Sequence, residues 1–312
     1  MPSATVFRRA FTDIYSRMKE KVVVGIGEVL WDELPDGKKL GGAPANFAYH
    51  VSQFGFDSMV VSAVGDDRSG AEIVELFGDK GLEGLLATVD YPTGSVAVKV
   101  DAAGVPEYDI KENVAWDHIP FSESLEALAA RTCAVCFGTL AQRSEESRRT
   151  IMRFVDSIPA SNNALVVFDV NLRQHYYSKK LIEESLRKCD VLKINDEELA
   201  VVSDIFGLPG GELSCTALKS EFGLKMLVLT CGTAGSYVYS DGGVSFQPTP
   251  VVEVADTVGA GDSFTAAFIS AVLSGLSVGE AHEVAAATSA FVCTKYGAMP
   301  ELPPHLKKRA GK

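Results

Sequence analysis

The chain has 312 residues, 46% of them hydrophobic and 22% charged, with a formal net charge of −12. That length suffices for one large core, and the mixture is that of a globular chain. The acidic balance excludes a sequence-independent grip on nucleic acid or on an anionic membrane, because both need basic patches; no stretch reaches the roughly 18–20 consecutive apolar residues of a membrane span.

Residues 1–20 lack the apolar centre and small-residue cleavage site of a secretory signal, although Phe7, Phe11, Ile14 and Met18 would line one side of a short helix. They read as an N-terminal extension, with "MKEKVVVGIGE" a natural beginning, and Asp13 and Glu20 count against a transit peptide. The domain proper is expected over 21–312. Six cysteines lie mostly in apolar runs, and nothing in their spacing implies an oxidising compartment; a cytoplasmic location is expected. Cys133 and Cys136 have CxxC spacing, but "CAVCF" reads as a buried strand, on which residues three apart point to opposite faces.

In chain order, "KVVVGIG", "NFAYHVSQFG", "SMVVSAVG", "GAEIVELFGDKG", "CAVCFG", "SRRTIMRFVDSI", "LVVFDV", "KKLIEESLRK" and "DVLKIN" alternate short β-branched runs with helical patterns. Such alternation means parallel strands covered by helices on both faces. Two segments break the rhythm: the turn-rich "WDELPDGKKL" at 31–40, and 91–110, which alternates strictly around a Gly-containing turn. These predict a small sheet off the main layer, formed by about 31–40 and 91–113, in a position to act as a lid that excludes water.

Open parallel sheets bind ligands beyond the carboxyl ends of their strands. Polar residues gather there: Glu28 and Asp32; Gly41, Gly42 and Asn46 in "GGAPANFA"; Asp169, Asn171 and Arg173 in "FDVNLR"; Asn195 and Glu198 in "KINDEE"; and Thr230 to Gly235 in "LTCGTAG". Each also has a structural reading. The glycine pair is a turn, "NDEE" is a capping box, Thr230 to Gly235 is a turn into the hairpin "SYVYSDGGVSF", and Arg173 pairs with Asp169.

"DTVGAGDSFTAAF" at 256–268 is more demanding. Glycines at 259 and 261 before an apolar helix let successive N–H groups converge on one point, a nest for phosphate oxygens. An N-cap aspartate with turn glycines would explain Asp262 and Gly261 but leave Gly259 idle. There is no GxxxxGK[ST] and no GxGxxG after the first strand, which disfavours a Walker loop and a nicotinamide oxidoreductase. The GxSxG at Gly275–Gly279 falls between two helices, where Ser277 and Glu280 form a capping box instead of a nucleophile elbow.

"GGAPANFAYHVSQFG" together with "DTVGAGDSFTAAF" resembles the two signatures of the ribokinase-like, PfkB-type carbohydrate kinases, in order and spacing over about 21–305. The resemblance implies a three-layer αβα sandwich with a mostly parallel sheet and a β lid, and ATP-dependent phosphorylation of a sugar hydroxymethyl group. It implies Asp262 as base and the amides of Gly259, Ala260 and Gly261 as anion hole. Asp32, Gly41, Gly42 and Asn46 would hold the sugar, with Arg173 reaching the sugar or the transferred group. Asn195 and Glu198 would lie near the phosphates and Mg2+, with Glu198 holding the metal through water, and Thr230, Gly232 and Gly235 would line the nucleotide. A monovalent cation such as K+ near Asp256 and Gly297 is a further implication, without side-chain support from Val258 or Tyr296. "GEVLWD", "GGAPAN" and "DVNLR" look most like bacterial fructokinases; ketodeoxygluconate, ribose and nucleoside kinases share the frame, as would a non-catalytic binding relative. The partner so implied is a small sugar; separately, the open sheet edge of the hairpin could pair two copies of the chain through the lid. A helix start lowers a carboxyl pKa, so Asp262 is expected to be ionised at neutral pH.

Overall fold

A computed structural model describes residues 21–34, 37–100 and 106–310. Strand β1 (Val22–Ile26) leads into a hairpin, β2 (Leu30–Leu34) and β3 (Gly37–Gly41), and then helix α1 (Ala43–Gln53). Next come β4 (Ser58–Gly65), α2 (Arg68–Lys80), β5 (Glu83–Val89) and a second hairpin, β6 (Ser95–Val100) and β7 (Pro106–Ile110). The chain then runs through α3 (Glu123–Ala129), β8 (Thr132–Phe137), α4 (Glu145–Ser157), β9 (Leu165–Asp169), α5 (Lys179–Leu186), β10 (Val191–Asn195), α6 (Asp196–Phe206), α7 (Gly211–Phe222) and β11 (Met226–Thr230). It closes with the hairpin β12 (Ser236–Ser240) and β13 (Gly243–Gln247), and helices α8 (Ala260–Leu273), α9 (Val278–Cys293) and α10 (Pro304–Ala310).

Nine strands form one sheet in the order β13-β12-β11-β10-β9-β8-β1-β4-β5. Its members pair in parallel except for β12 and β13, which a hairpin joins antiparallel. The central strands are apolar throughout because both faces are covered. On one face Val23, Val167, Val191 and Val228 pack with Phe47 of α1, Phe264 and Phe268 of α8 and Val284 of α9. On the other, Val24, Val135, Leu192 and Leu227 meet Leu125, Ile151, Ile182, Leu199 and Leu218 of α3 to α7. The expected three-layer sandwich is therefore present.

Cys133 and Cys136 correct one expectation. The register of β8 against β1 shifts between Val22 and Val23, paired with Thr132 and Ala134. This bulge brings both cysteines into the same apolar layer. No disulfide joins the six cysteines, and no group of three or more His, Cys, Asp or Glu able to hold a metal ion occurs among the described residues.

The two irregular segments build a separate four-stranded sheet, β3-β2-β6-β7, in which β2 and β6 pair in parallel and the flanking pairs are antiparallel. Trp31 fastens it to α2 by donating Nε1–H to the Ser69 carbonyl at 3.1 Å, and Lys38 pairs with Glu72 of the same helix. The expected turns at 35–36 and 101–105 and the extension over 1–20 lie outside the described residues. Ser277 and Glu280 form the capping box foreseen at the start of α9, so the GxSxG segment is occupied in ending one helix and starting the next. No helix of the described residues is long and apolar enough to cross a membrane.

Candidate active site

The site begins where β3 turns into α1. Gly42 has φ +112°, and a Cβ there would come within 2.3 Å of the Glu28 carbonyl oxygen, so only glycine fits this corner. Pro44 sits in the first turn of α1, where its missing N–H costs nothing. Asn46 follows within that turn, 3% exposed, and its Nδ2 donates to Asp262 Oδ2 at 2.7 Å. The two glycine motifs thus meet through one hydrogen bond.

Two more carboxyls close this corner. Asp32 of β2 lies against Gly41, where a Cβ would stand 2.3 Å from Asp32 Oδ2. Burial raises the Asp32 carboxyl to about 6, against the pull of Arg173. Glu28 is 2% exposed and its Oε2 has no hydrogen-bond partner among the described residues. Burial raises its carboxyl to about 7, opposed by backbone hydrogen bonds, including one from Ala43, and by Arg173, and assisted by the charge of Asp262.

Asp262 occupies the first turn of α8. Gly259, its N-cap, has φ +76°, and a Cβ there would meet the backbone of Ala298 at 2.7–2.8 Å. This explains the glycine that a plain capping reading leaves idle. Of the three amides expected to hold an anion, that of Ala260 donates to the Thr257 carbonyl at 3.2 Å. The amides of Gly259, Gly261 and Asp262 make no backbone hydrogen bond among the described residues. The expectation of a lowered Asp262 pKa is corrected: burial, then the charge of Asp169, raises it to about 6, against the Asn46 hydrogen bond, Lys193 and Arg173. The helix start is outweighed because the carboxyl is withdrawn from water beside a second carboxylate. It remains mostly ionised at neutral pH.

Beneath Asp262 lies a buried network. Asp169 ends β9 in register with Lys193 of β10, and Lys193 Nζ pairs with Asp169 Oδ1 at 3.2 Å. Thr265 Oγ1 lies 3.1 Å from Asp169 Oδ2 and 3.0 Å from the Gly261 carbonyl, which ties the helix start to the strand end. The expected Asp169–Arg173 pair does not form. Asn171, at φ +45°, turns the chain away from the strand, and Arg173 is exposed with Nη1 on its neighbour's carbonyl, Leu172. Its charge still acts on Glu28, Asp32 and Asp262. A narrow cleft opens here, lined by Ala43, Pro44, Asp169, Asn171, Asp262 and Thr265 among others.

The remaining candidates stand along the same rim. Asn195 ends β10 opposite Thr230 of β11. Asn195 Oδ1 accepts from the Glu198 amide at 2.8 Å and Glu198 Oε2 from the Asn195 amide at 2.9 Å, so the capping box is real. Glu198 Oε1 also accepts from Leu172 at 3.0 Å, which ties α6 to the loop carrying Arg173. Gly232 and Gly235 take φ of +52° and +114° in the turn before β12. Asp256 accepts from the amides of Val258 and Gly297, fastening the approach to α8 to the segment after α9.

Lys193 escaped the sequence reading, although a single charge inside the apolar run "VLKIN" is its signal, since a buried ammonium needs a partner. Arg143 escaped as well. It pairs through Nε and Nη2 with Asp117 at 2.8 Å, with its guanidinium 3.9 Å from the Trp116 ring and 4.7 Å from that of Tyr176.

Amides open to an anion beside a carboxylate are parts that phosphoryl transfer to an alcohol requires. The profile of the pfkB family carbohydrate kinases matches residues 34–304. An uncharacterized sugar kinase of Pyrococcus horikoshii is 29% identical over 271 residues, covering 81% of this chain and 83% of the relative. Its crystal structure in complex with ATP superposes with a TM-score of 0.74 at 27% identity, covering 89% of this chain and 94% of that one. A fructokinase of Klebsiella pneumoniae is 29% identical over 257 residues, 78% of this chain and 82% of the relative. An ATP-dependent 6-phosphofructokinase of Thermoanaerobacterium thermosaccharolyticum is 27% identical over 304 residues, 91% and 92% of the two chains. The chain belongs to the pfkB family of carbohydrate kinases. It is accordingly a phosphotransferase whose acceptor is a sugar hydroxyl.

Proposed function

We propose that the protein transfers the γ-phosphoryl group of ATP to a hydroxymethyl group of a ketose, with fructose the best acceptor. The observation that carries this reading is the Asn46–Asp262 hydrogen bond, which sets the base against the turn of Gly41 and Gly42. Asp262 removes the acceptor proton. Asp32 and Asn46 orient the other hydroxyls, and Arg173 reaches over the cleft to the sugar or the moving phosphoryl group. The amides of Gly259, Gly261 and Asp262 hold the phosphoryl oxygens, and Asn195, Thr230, Gly232 and Gly235 line the nucleotide. The small sheet closes over the acceptor as a lid and, through its edges, supports pairing of two copies.

Magnesium, when bound, would screen the phosphates. The donor set suits it: each Glu198 oxygen accepts one amide and keeps lone pairs for a metal-bound water, and a magnesium ion held mainly by water and phosphates needs no cluster of carboxylates.

Fructose is favoured by the Klebsiella relative. The Thermoanaerobacterium relative makes fructose 6-phosphate the competing acceptor, but three carboxyls, Glu28, Asp32 and Asp262, face a single guanidinium at the sugar end. That balance favours a neutral acceptor. The test is a coupled assay of ADP release over fructose, fructose 6-phosphate, ribose, ketodeoxygluconate and adenosine, with the product phosphate located by NMR. Fructose should give the highest kcat/KM; no ADP release with any sugar would end the proposal.

A further inference from the structure

Gly261 lies inside α8 without a positive φ, so its backbone does not call for glycine, and glycine weakens a helix relative to alanine. What a methyl group would meet is Lys193: a Cβ at Gly261 would stand 3.1 Å from Nζ. The ammonium therefore lies directly behind the open amides of the helix start.

Lys193 is nine-tenths buried, with 9% of its side chain exposed. One of its three N–H donors goes to Asp169 Oδ1 at 3.2 Å, and no other acceptor takes the remaining two among the described residues. Burial alone would push its pKa down, but the charges of Asp169, Glu198 and Asp262 carry it above its ordinary value. A fixed, charged ammonium with two unused donors thus stands against the first turn of α8, beside Gly261.

We propose that Lys193 is a further catalytic residue, donating to the phosphoryl group in flight through the opening left by the missing side chain at Gly261. In that step the acceptor oxygen bonds to the γ-phosphorus while the bond to the β–γ bridging oxygen breaks. The acceptor proton passes to Asp262, and ADP leaves with the electron pair of the broken bond. Lys193 exchanges no proton; it adds positive charge beside the peripheral oxygens, where a preplaced donor is worth most. The inference rests on the kinase reading above.

The test compares Lys193→Met, Lys193→Arg and Gly261→Ala with a Lys193→Met/Asp169→Asn double variant, which keeps the buried charge balanced if the single variant does not fold. Lys193→Met and the double variant should lose about 100-fold or more in kcat, the size of one lost donor to a transition-state oxygen. ADP affinity should be unchanged, whereas ADP–aluminium fluoride in the presence of fructose should bind about 10-fold or more weakly, since it mimics the planar phosphoryl group. Lys193→Arg should recover part of the turnover, and Gly261→Ala should lose turnover because its methyl displaces the ammonium. A folded Lys193→Met or double variant with near-normal kcat and unaltered ADP–aluminium fluoride affinity would overturn the role of Lys193 alone. Wild-type protein that releases no ADP with sugar, and binds no ADP–aluminium fluoride, would instead overturn the kinase reading.

Discussion

Asp262, the proposed base, has its basicity set by its surroundings. Because burial and Asp169 raise it to about 6, kcat should fall about tenfold per pH unit once the pH drops below that value, as the carboxylate takes up its proton. Asp262→Asn should remove this acid limb and lose roughly 100-fold or more in kcat while ATP binding is kept; a pH series of initial rates with calorimetric ATP titration checks both. Glu28 makes a stability prediction of its own. Its carboxyl titrates at about 7 in the fold against 4.5 unperturbed, so the folded state holds the proton more tightly than the unfolded chain does. Stability contributed by the neutral form is complete below about 4.5 and is lost as pH rises to about 7. Glu28→Gln mimics that neutral form. It should stabilise the protein at pH 8 by up to about 3 kcal/mol and leave it unchanged at pH 4, as read by urea unfolding at the two pH values.

Elements are held by contacts that sequence order does not announce. Arg143 precedes α4, Asp117 follows the small sheet, and their pair is buried at 7% and 5% side-chain exposure. Arg143 Nη2 also reaches the Lys111 carbonyl at the exit of β7. Arg143→Ala strands the Asp117 charge and should cost about 3–5 kcal/mol, whereas Arg143→Met/Asp117→Asn should cost clearly less; urea denaturation of the two variants distinguishes them. Legibility followed the same division. The corners at Gly42 and Gly259 could be read because a bend against a neighbouring backbone tolerates no side chain, and the interior strands because burial on both faces demands apolar runs. Strand β5 was not recognised, since it ends the sheet, begins Glu83-Gly84 and is only partly buried. Asp169 and Arg173 suggested a pair by proximity, but the turn at Asn171 sends them apart and gives Asp169 to Lys193. Lys193 announced its need for a partner but not which one, because Asp169 reaches it across a crossover.

At the scale of the molecule, the reaction corner belongs to neither end of the chain. Asn46 and Asp262 touch across 216 positions, and Gly259 rests on Ala298 in the segment after α9. The proposed base meets Asn46 only once the chain through α8 has been made, so a nascent chain that stops short of α8 should be silent. A break in the exposed Asp241–Gly243 turn would give two inactive pieces, one holding the amide and the other the carboxylate. If the pieces reunite when mixed, the phosphotransferase activity that returns with their concentration would report how strongly the two parts of the sheet seek each other.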